Sequence, residues 1–135
     1  MKIHHIGYIT NNIEDSITDF SALGYSEGDI FDDLSQNCKI CILTSISEGD
    51  KIELVEPHQS NIQMLKILKK RGCSVYHICY EVEDIVTTYK LFCDREGWLN
   101  IFEPKEAIAL DNRLITYFYN TKLGFVEFVE KKKQL

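Results

Sequence analysis

The sequence predicts an α+β chain made of two βαβββ modules, and three observations predict it. First, HIGYITNNI at His5 and HICYEVEDI at His77 align at a shift of 77 − 5 = 72, with the His, the next Ile, the Tyr and the closing Ile coinciding. Second, the register continues into amphipathic helices, because Ile13, Ile17 and Phe20 fall on Ile85, Tyr89 and Phe92 at i, i+4 and i+7. Third, KIELVE around Glu53 pairs with FVEFVE around Glu127 at a shift of 127 − 53 = 74, a drift that two turn-length insertions explain. Anchors that recur in the same order indicate an internal duplication rather than chance likeness.

Each half then reads as strand, helix and three further strands. The first module, roughly 1–58, gives a strand at 2–9, a helix at 13–23 and strands at 25–31, 38–46 and 50–56, with turns at DDLSQN and SEGD. Asn12 caps the first helix and Gly24 stops it. A linker helix at 60–72 presents Ile62, Leu65 and Leu68 on one face, and its Lys69, Lys70 and Arg71 suit the negative end of the helix dipole. The second module, roughly 74–131, gives a strand at 75–82, a helix at 84–96 capped by Asp84 and stopped before Gly97, and strands at 98–103, 113–119 and 124–130. EPKEAIALDNR, from Glu103 to Arg113, has weak periodicity and reads as a specificity loop. Lys131–Lys133 reads as a solvated tail.

Composition narrows the function classes. The chain has 135 residues, 44% hydrophobic and 27% charged, which suits a single domain with one core. Its net charge of -6 argues against a nucleic-acid surface. No apolar run approaches the ~20 residues of a membrane span, and Met1 leads straight into a strand, so neither a membrane segment nor a signal peptide is expected. Five cysteines, an odd number, suit reduced thiols and a cytoplasmic setting. CKIC, Cys38–Cys41, resembles a redox or zinc pair, yet residues three apart on a strand point to opposite faces.

Four polar residues stand out. Glu53 and Glu127 lie inside strands that are apolar on both sides, where an unpartnered carboxylate costs several kcal/mol. His5 and His77 occupy equivalent positions in the first strand of each module. One buried His–Glu hydrogen bond per module would satisfy them; a divalent metal would satisfy all four, since imidazole and carboxylate ligate Zn, Ni, Co, Mn or Fe.

The set HHIG, IELVEP, YHICYEVEDI and VEFVE resembles the vicinal oxygen chelate superfamily, the glyoxalase/bleomycin-resistance fold, over nearly the whole chain. The resemblance implies that the two modules form a curved mixed sheet around one divalent metal, Ni, Co, Zn or Mn, held by His5, Glu53, His77 and Glu127. His4, adjacent to His5, points to the opposite face and is left out. The implied chemistry is proton abstraction next to a metal-bound oxygen through an enediolate, with Glu127 as base and Glu53 as its counterpart. Arg113 is the candidate contact for a substrate carboxylate or phosphate.

Within that resemblance the ligand quartet favours a glyoxalase I-type (lactoylglutathione lyase-like) enzyme acting on a hemithioacetal. A methylmalonyl-CoA epimerase-like isomerase acting on a thioester is the alternative, and a non-catalytic binding or resistance protein is the second. NCKICILTS carries no carboxylate on the third strand, which weighs against the epimerase, while Glu53 weighs against an extradiol dioxygenase with open iron positions. A homodimer is expected, with the site either within one chain or shared between two.

Overall fold

In this computed structural model the described residues are 1–133, and the chain divides into two compact units. One is His5–Tyr76; the other joins Met1–His4 to the chain from His77 onward. In chain order the first module, most of which lies in the first unit, runs β1 (Lys2–Ile9), α1 (Ile13–Ser21), β2 (Tyr25–Asp33), β3 (Cys38–Ser45) and β4 (Lys51–Pro57), followed by α2 (Ile62–Arg71). The second module, most of which lies in the second unit, runs β5 (Ser74–Val82), α3 (Ile85–Cys93), β6 (Trp98–Ala107), a 3-10 turn at Ile108–Leu110, β7 (Arg113–Asn120) and β8 (Gly124–Glu130). The α+β class and the duplicated βαβββ order are as the sequence predicts.

Strand order is the same in both units. The first runs β2-β3-β4-β1 and the second β6-β7-β8-β5. In each, the opening strand lies parallel to the last strand of its module and the other pairings are antiparallel. The mixed pairing follows from connectivity. A helix returns the chain after the first strand, whereas tight turns join the other three.

The helix covers one face of its module. In the first unit Ile13, Cys41, Leu43 and Leu54 form the buried cluster, with Tyr8, Ile17, Phe20 and Tyr25 packed against it. In the second, Val82, Ile85, Phe118, Val126 and Phe128 are flanked by Tyr80, Tyr89, Phe92 and Trp98. Phe92 contacts Trp98 at 4.7 Å and Phe128 at 4.8 Å between ring centroids. Truncating the fully buried Phe118 to alanine would cost about 3–5 kcal/mol.

Both expected caps form. Asn12 accepts from the Asp15 amide and Asp84 accepts from Val86 and Thr87. A second device is duplicated as well: Glu56 of β4 accepts from the Ile13 amide at 2.8 Å, and Glu130 of β8 accepts from the Ile85 amide at 3.0 Å. A strand carboxylate thus satisfies an otherwise orphan donor at each helix start.

Several boundaries differ from expectation. α1 stops at Ser21 and α3 at Cys93, because a turn leads to Gly24 and Gly97, which take φ of 89° and 86°. β2 runs on to Asp33, whose side chain holds the turn through the Ser35 and Gln36 amides. The largest correction is the expected loop from Glu103 to Arg113. β6 continues through Pro104 to Ala107 before the 3-10 turn, and only Asp111–Asn112, both at positive φ, make a tight reversal. Edge position explains this, since a proline there removes a hydrogen bond that no neighbouring strand requires.

Candidate functional site

Each module sets its histidine and glutamate by the same register. β1 aligns Gly7 with Glu53, and β5 aligns Cys79 with Glu127. His5 and His77 lie two residues before Gly7 and Cys79, hence on the same face as the glutamate. That face is opposite the helix, because Leu54 and Phe128, the neighbours of the two glutamates, enter the helix-side clusters.

The geometry of each pair is tight. In the first unit His5 Nε2 lies 3.4 Å from Glu53 Oε2, and in the second His77 Nε2 lies 3.0 Å from Glu127 Oε1. All four residues are buried, none more than 3% exposed, and each offers a metal-ligand atom. Two imidazoles and two carboxylates, taken out of water, suit a divalent transition ion chemically. The dry surroundings strengthen that attraction.

What stands beside the pairs differs between modules. The residue directly across from Glu53 is Ile42, and the residue across from Glu127 is Tyr117. The Tyr117 hydroxyl lies 3.1 Å from His77 Nε2 and 3.2 Å from Nδ1, with the two rings edge to face. Nothing in the sequence pattern singled out Tyr117 as the residue that reaches the histidine.

Arg113, the candidate substrate contact, stands at the start of β7 with partners of its own. It shares the face of Tyr117 four residues along β7. Its Nη2 pairs with Glu81 Oε2 at 2.9 Å, and its Nε donates to the Glu130 carbonyl at 2.9 Å. His4 Nε2 stands 3.5 Å from Arg113 Nη1. So the structure brings His5 to Glu53 and His77 to Glu127, and it holds Arg113 in an ion pair with Glu81.

The CKIC pair behaves as expected of a strand. Cys38 aligns with Pro57 and Cys41 with Leu54, three apart and on opposite faces. Burial pushes the Cys41 thiol above its ordinary range, which disfavours a reactive thiolate. No helix of the described residues is long and apolar enough to cross a membrane.

The described residues thus form a duplicated βαβββ chain with one buried imidazole–carboxylate pair per module. Residues 4–117 match the model of the Glyoxalase/Bleomycin resistance protein/Dioxygenase superfamily, and the chain belongs to that family. A search of curated sequences finds no match. Among solved structures, a hypothetical protein from Bacillus halodurans C-125 is similar at 27% identity, with 99% of this chain and 96% of that one covered and a TM-score of 0.83. The methylmalonyl-CoA epimerase of Mycobacterium tuberculosis has the same fold at 18% identity, 97% and 88% coverage and a TM-score of 0.83. So does the Streptomyces coelicolor methylmalonyl-CoA epimerase in complex with 2-nitronate-propionyl-CoA, at 19% identity, 98% and 99% coverage and 0.83.

Proposed function

We propose that this chain is a divalent-metal-dependent enzyme that moves a proton on the carbon beside a substrate carbonyl, and that a 2-substituted malonyl thioester is its substrate. The observation that carries the reading is the buried His–Glu pair repeated in equivalent register in both modules. Likeness to methylmalonyl-CoA epimerases turns it from the hemithioacetal, favoured by the ligand set alone, towards the thioester.

In this reading His5, Glu53, His77 and Glu127 hold one metal ion, with Ni, Co, Zn and Mn as the candidates. When bound, the ion supplies Lewis-acid stabilisation of negative charge on a substrate oxygen. Glu127 accepts the proton as the C–H electron pair shifts towards the carbonyl oxygen, and its burial keeps water from competing for that proton. Glu53 gives up its own carboxyl proton to the opposite face, which inverts the centre and leaves Glu127 as the protonated member of the pair. Tyr117 fixes the orientation of the His77 ring. Arg113, on the same face as Tyr117, contacts the far anionic end of the substrate.

One observation favours a glyoxalase I-type lyase as the second reading. β3 presents Lys39, Ile40, Cys41, Ile42 and Leu43 and no carboxylate, so the glutamates of β4 and β8 carry the proton alone. The reading extends to a cytoplasmic homodimer, in line with the odd cysteine count; sedimentation at micromolar concentration tests the assembly.

The deciding experiment follows exchange in D2O. Metal-loaded protein is incubated with methylmalonyl-CoA, and separately with the hemithioacetal of methylglyoxal and glutathione. Enzyme-dependent loss of the C2 proton signal in methylmalonyl-CoA supports the epimerase. Turnover of the hemithioacetal alone transfers the reading to the lyase. Exchange in neither sample overturns the enzyme.

A further inference from the structure

The helix side of the second module, opposite its His–Glu pair, holds a cavity of about 490 Å³. Its origin is a mismatch of lengths. β5 and α3 have nine residues each, which span ~30 Å as strand and ~14 Å as helix. α3 starts where β5 ends, so the opening half of the strand has no helix over it. Ile78 and Tyr80 alternate with His77 and Cys79, point to the helix side and stay half-buried. They align with Val126 and Phe128 of β8 and form the cavity floor with them, while Phe92 and Trp98 form a wall.

The rim is where the two modules diverge. From Phe20 to Gly24 is 24 − 20 = 4 residues, whereas from Phe92 to Gly97 is 97 − 92 = 5. The shorter turn carries Ser21, Ala22 and Leu23; the longer one carries Arg95, which is exposed and lines the cavity. After the glycine the first module has Tyr25, whose hydroxyl donates to Asp50, and the second has the larger indole of Trp98. Among the described residues that line the cavity, Arg95 alone has a charged side chain. The volume falls within the ~300–1,000 Å³ of small-molecule sites, which pair an apolar lining with few polar groups. Charge then selects the occupant, because a guanidinium engages a carboxylate through two parallel hydrogen bonds.

We infer that this cavity is a binding site for an aliphatic carboxylate, with its tail on the aromatic floor and its carboxylate on Arg95. The site lies on the other face of the strands that carry His77 and Glu127, goes beyond the proposed reaction and does not depend on it.

Trp98 is the only tryptophan of the chain, so its emission reports on the cavity. Metal-loaded protein is titrated with octanoate, octanol and acetate by fluorescence, and calorimetry repeats each titration. Octanoate should saturate the change and bind about tenfold more tightly than octanol, and acetate should leave emission unchanged. Arg95→Met should weaken octanoate to the level of octanol while leaving octanol within about twofold; Arg95→Lys should keep part of the preference. Melting temperatures establish that both variants are folded. No saturable response to octanoate by either method overturns the site. Equal affinity for octanoate and octanol in wild type, or undiminished octanoate binding in Arg95→Met, overturns the carboxylate assignment. Emission that shifts on dilution while sedimentation shows a dimer parting over the same range gives the cavity to a second copy of the chain and overturns the ligand. None of these measurements follows turnover, so the proposed reaction stands or falls separately.

Discussion

The two modules carry the same buried pair in the same register, yet surround it differently. In the first, Glu53 faces Ile42, and the bulged edge strand supplies Gly28, where an added Cβ would come within 2.8 Å of the Ile42 carbonyl oxygen. In the second, Glu127 faces Tyr117 and the bulged edge strand supplies Phe102 and Lys105. Charge diverges too: β2 is acidic, with Glu27, Asp29, Asp32 and Asp33, while β6 brings its lysine to the aromatic wall. Duplication kept the buried His–Glu pair and released its surroundings, the pattern the proposed function calls for. Metal coordination demands the same donors from each half, whereas a small asymmetric molecule requires different contacts on its two sides.

The largest effects should come from the shared part. His77→Ala and His5→Ala each remove a ligand, so each should lower metal affinity by more than the ~10–100-fold that losing an outer-shell partner costs. Elemental mass spectrometry of purified protein reads this directly. Wild type should hold close to one metal per chain and both variants almost none. A His5 variant that keeps its metal would break the equivalence of the halves.

Next come the glutamates, where equivalence should fail in kinetics. With metal saturating, Glu127→Gln should slow C2 exchange by about 10²–10⁴-fold, the range for loss of a general base. Glu53→Gln should slow epimerisation more than exchange, because it removes the group that returns the proton and leaves the one that takes it. Equal losses of exchange in both variants would remove the distinction between base and counterpart.

How much of this could be read from the chain follows the same division. The buried His–Glu pairs were legible because a glutamate between Ile52 and Leu54, or between Val126 and Phe128, conflicts with its neighbours, and the conflict occurs twice at one spacing. The caps were legible because Asn12 and Asp84 immediately precede an apolar series of helical period. The wall was not. Pro104 and the charges around it read as a loop, since local propensity carries no information that this segment lies at a sheet edge. A bulge also breaks the alternation on which any assignment of faces depends, so the direction of Lys105 exists only in the folded register. The ion pair of Arg113 with Glu81 was hidden for a simpler reason: 32 residues separate the partners.

Smaller effects test whether the helices are anchored alike. Glu56→Ala and Glu130→Ala each remove a charged acceptor from a part-buried helix-start amide. A hydrogen bond to a charged group contributes roughly 1.5–3 kcal/mol, so urea unfolding should show losses of that size, equal within about 0.5 kcal/mol. A clear inequality would mean that one helix start has found another acceptor.

The smallest effect separates the two N-caps by chemistry instead of position. Asn12 caps α1 with an uncharged amide, whereas Asp84 caps α3 with a carboxylate held below the ordinary aspartate range, chiefly by its hydrogen bond from the Thr87 amide. A group whose folded pKa is depressed contributes stability that is fully present above its unfolded value, 3.8 here, and is lost as pH falls through the lower folded value. α3 should therefore loosen in acid before α1 does. Native-state hydrogen exchange, corrected for its intrinsic pH dependence, should show protection of the α3 amides declining below about pH 4 while that of α1 holds. Asp84→Asn should remove the difference by giving α3 the amide cap that Asn12 already provides. If α3 in Asp84→Asn still loosens in the same range, the acid sensitivity belongs to another group of the second module, and Glu130 at the Ile85 amide is the next to test.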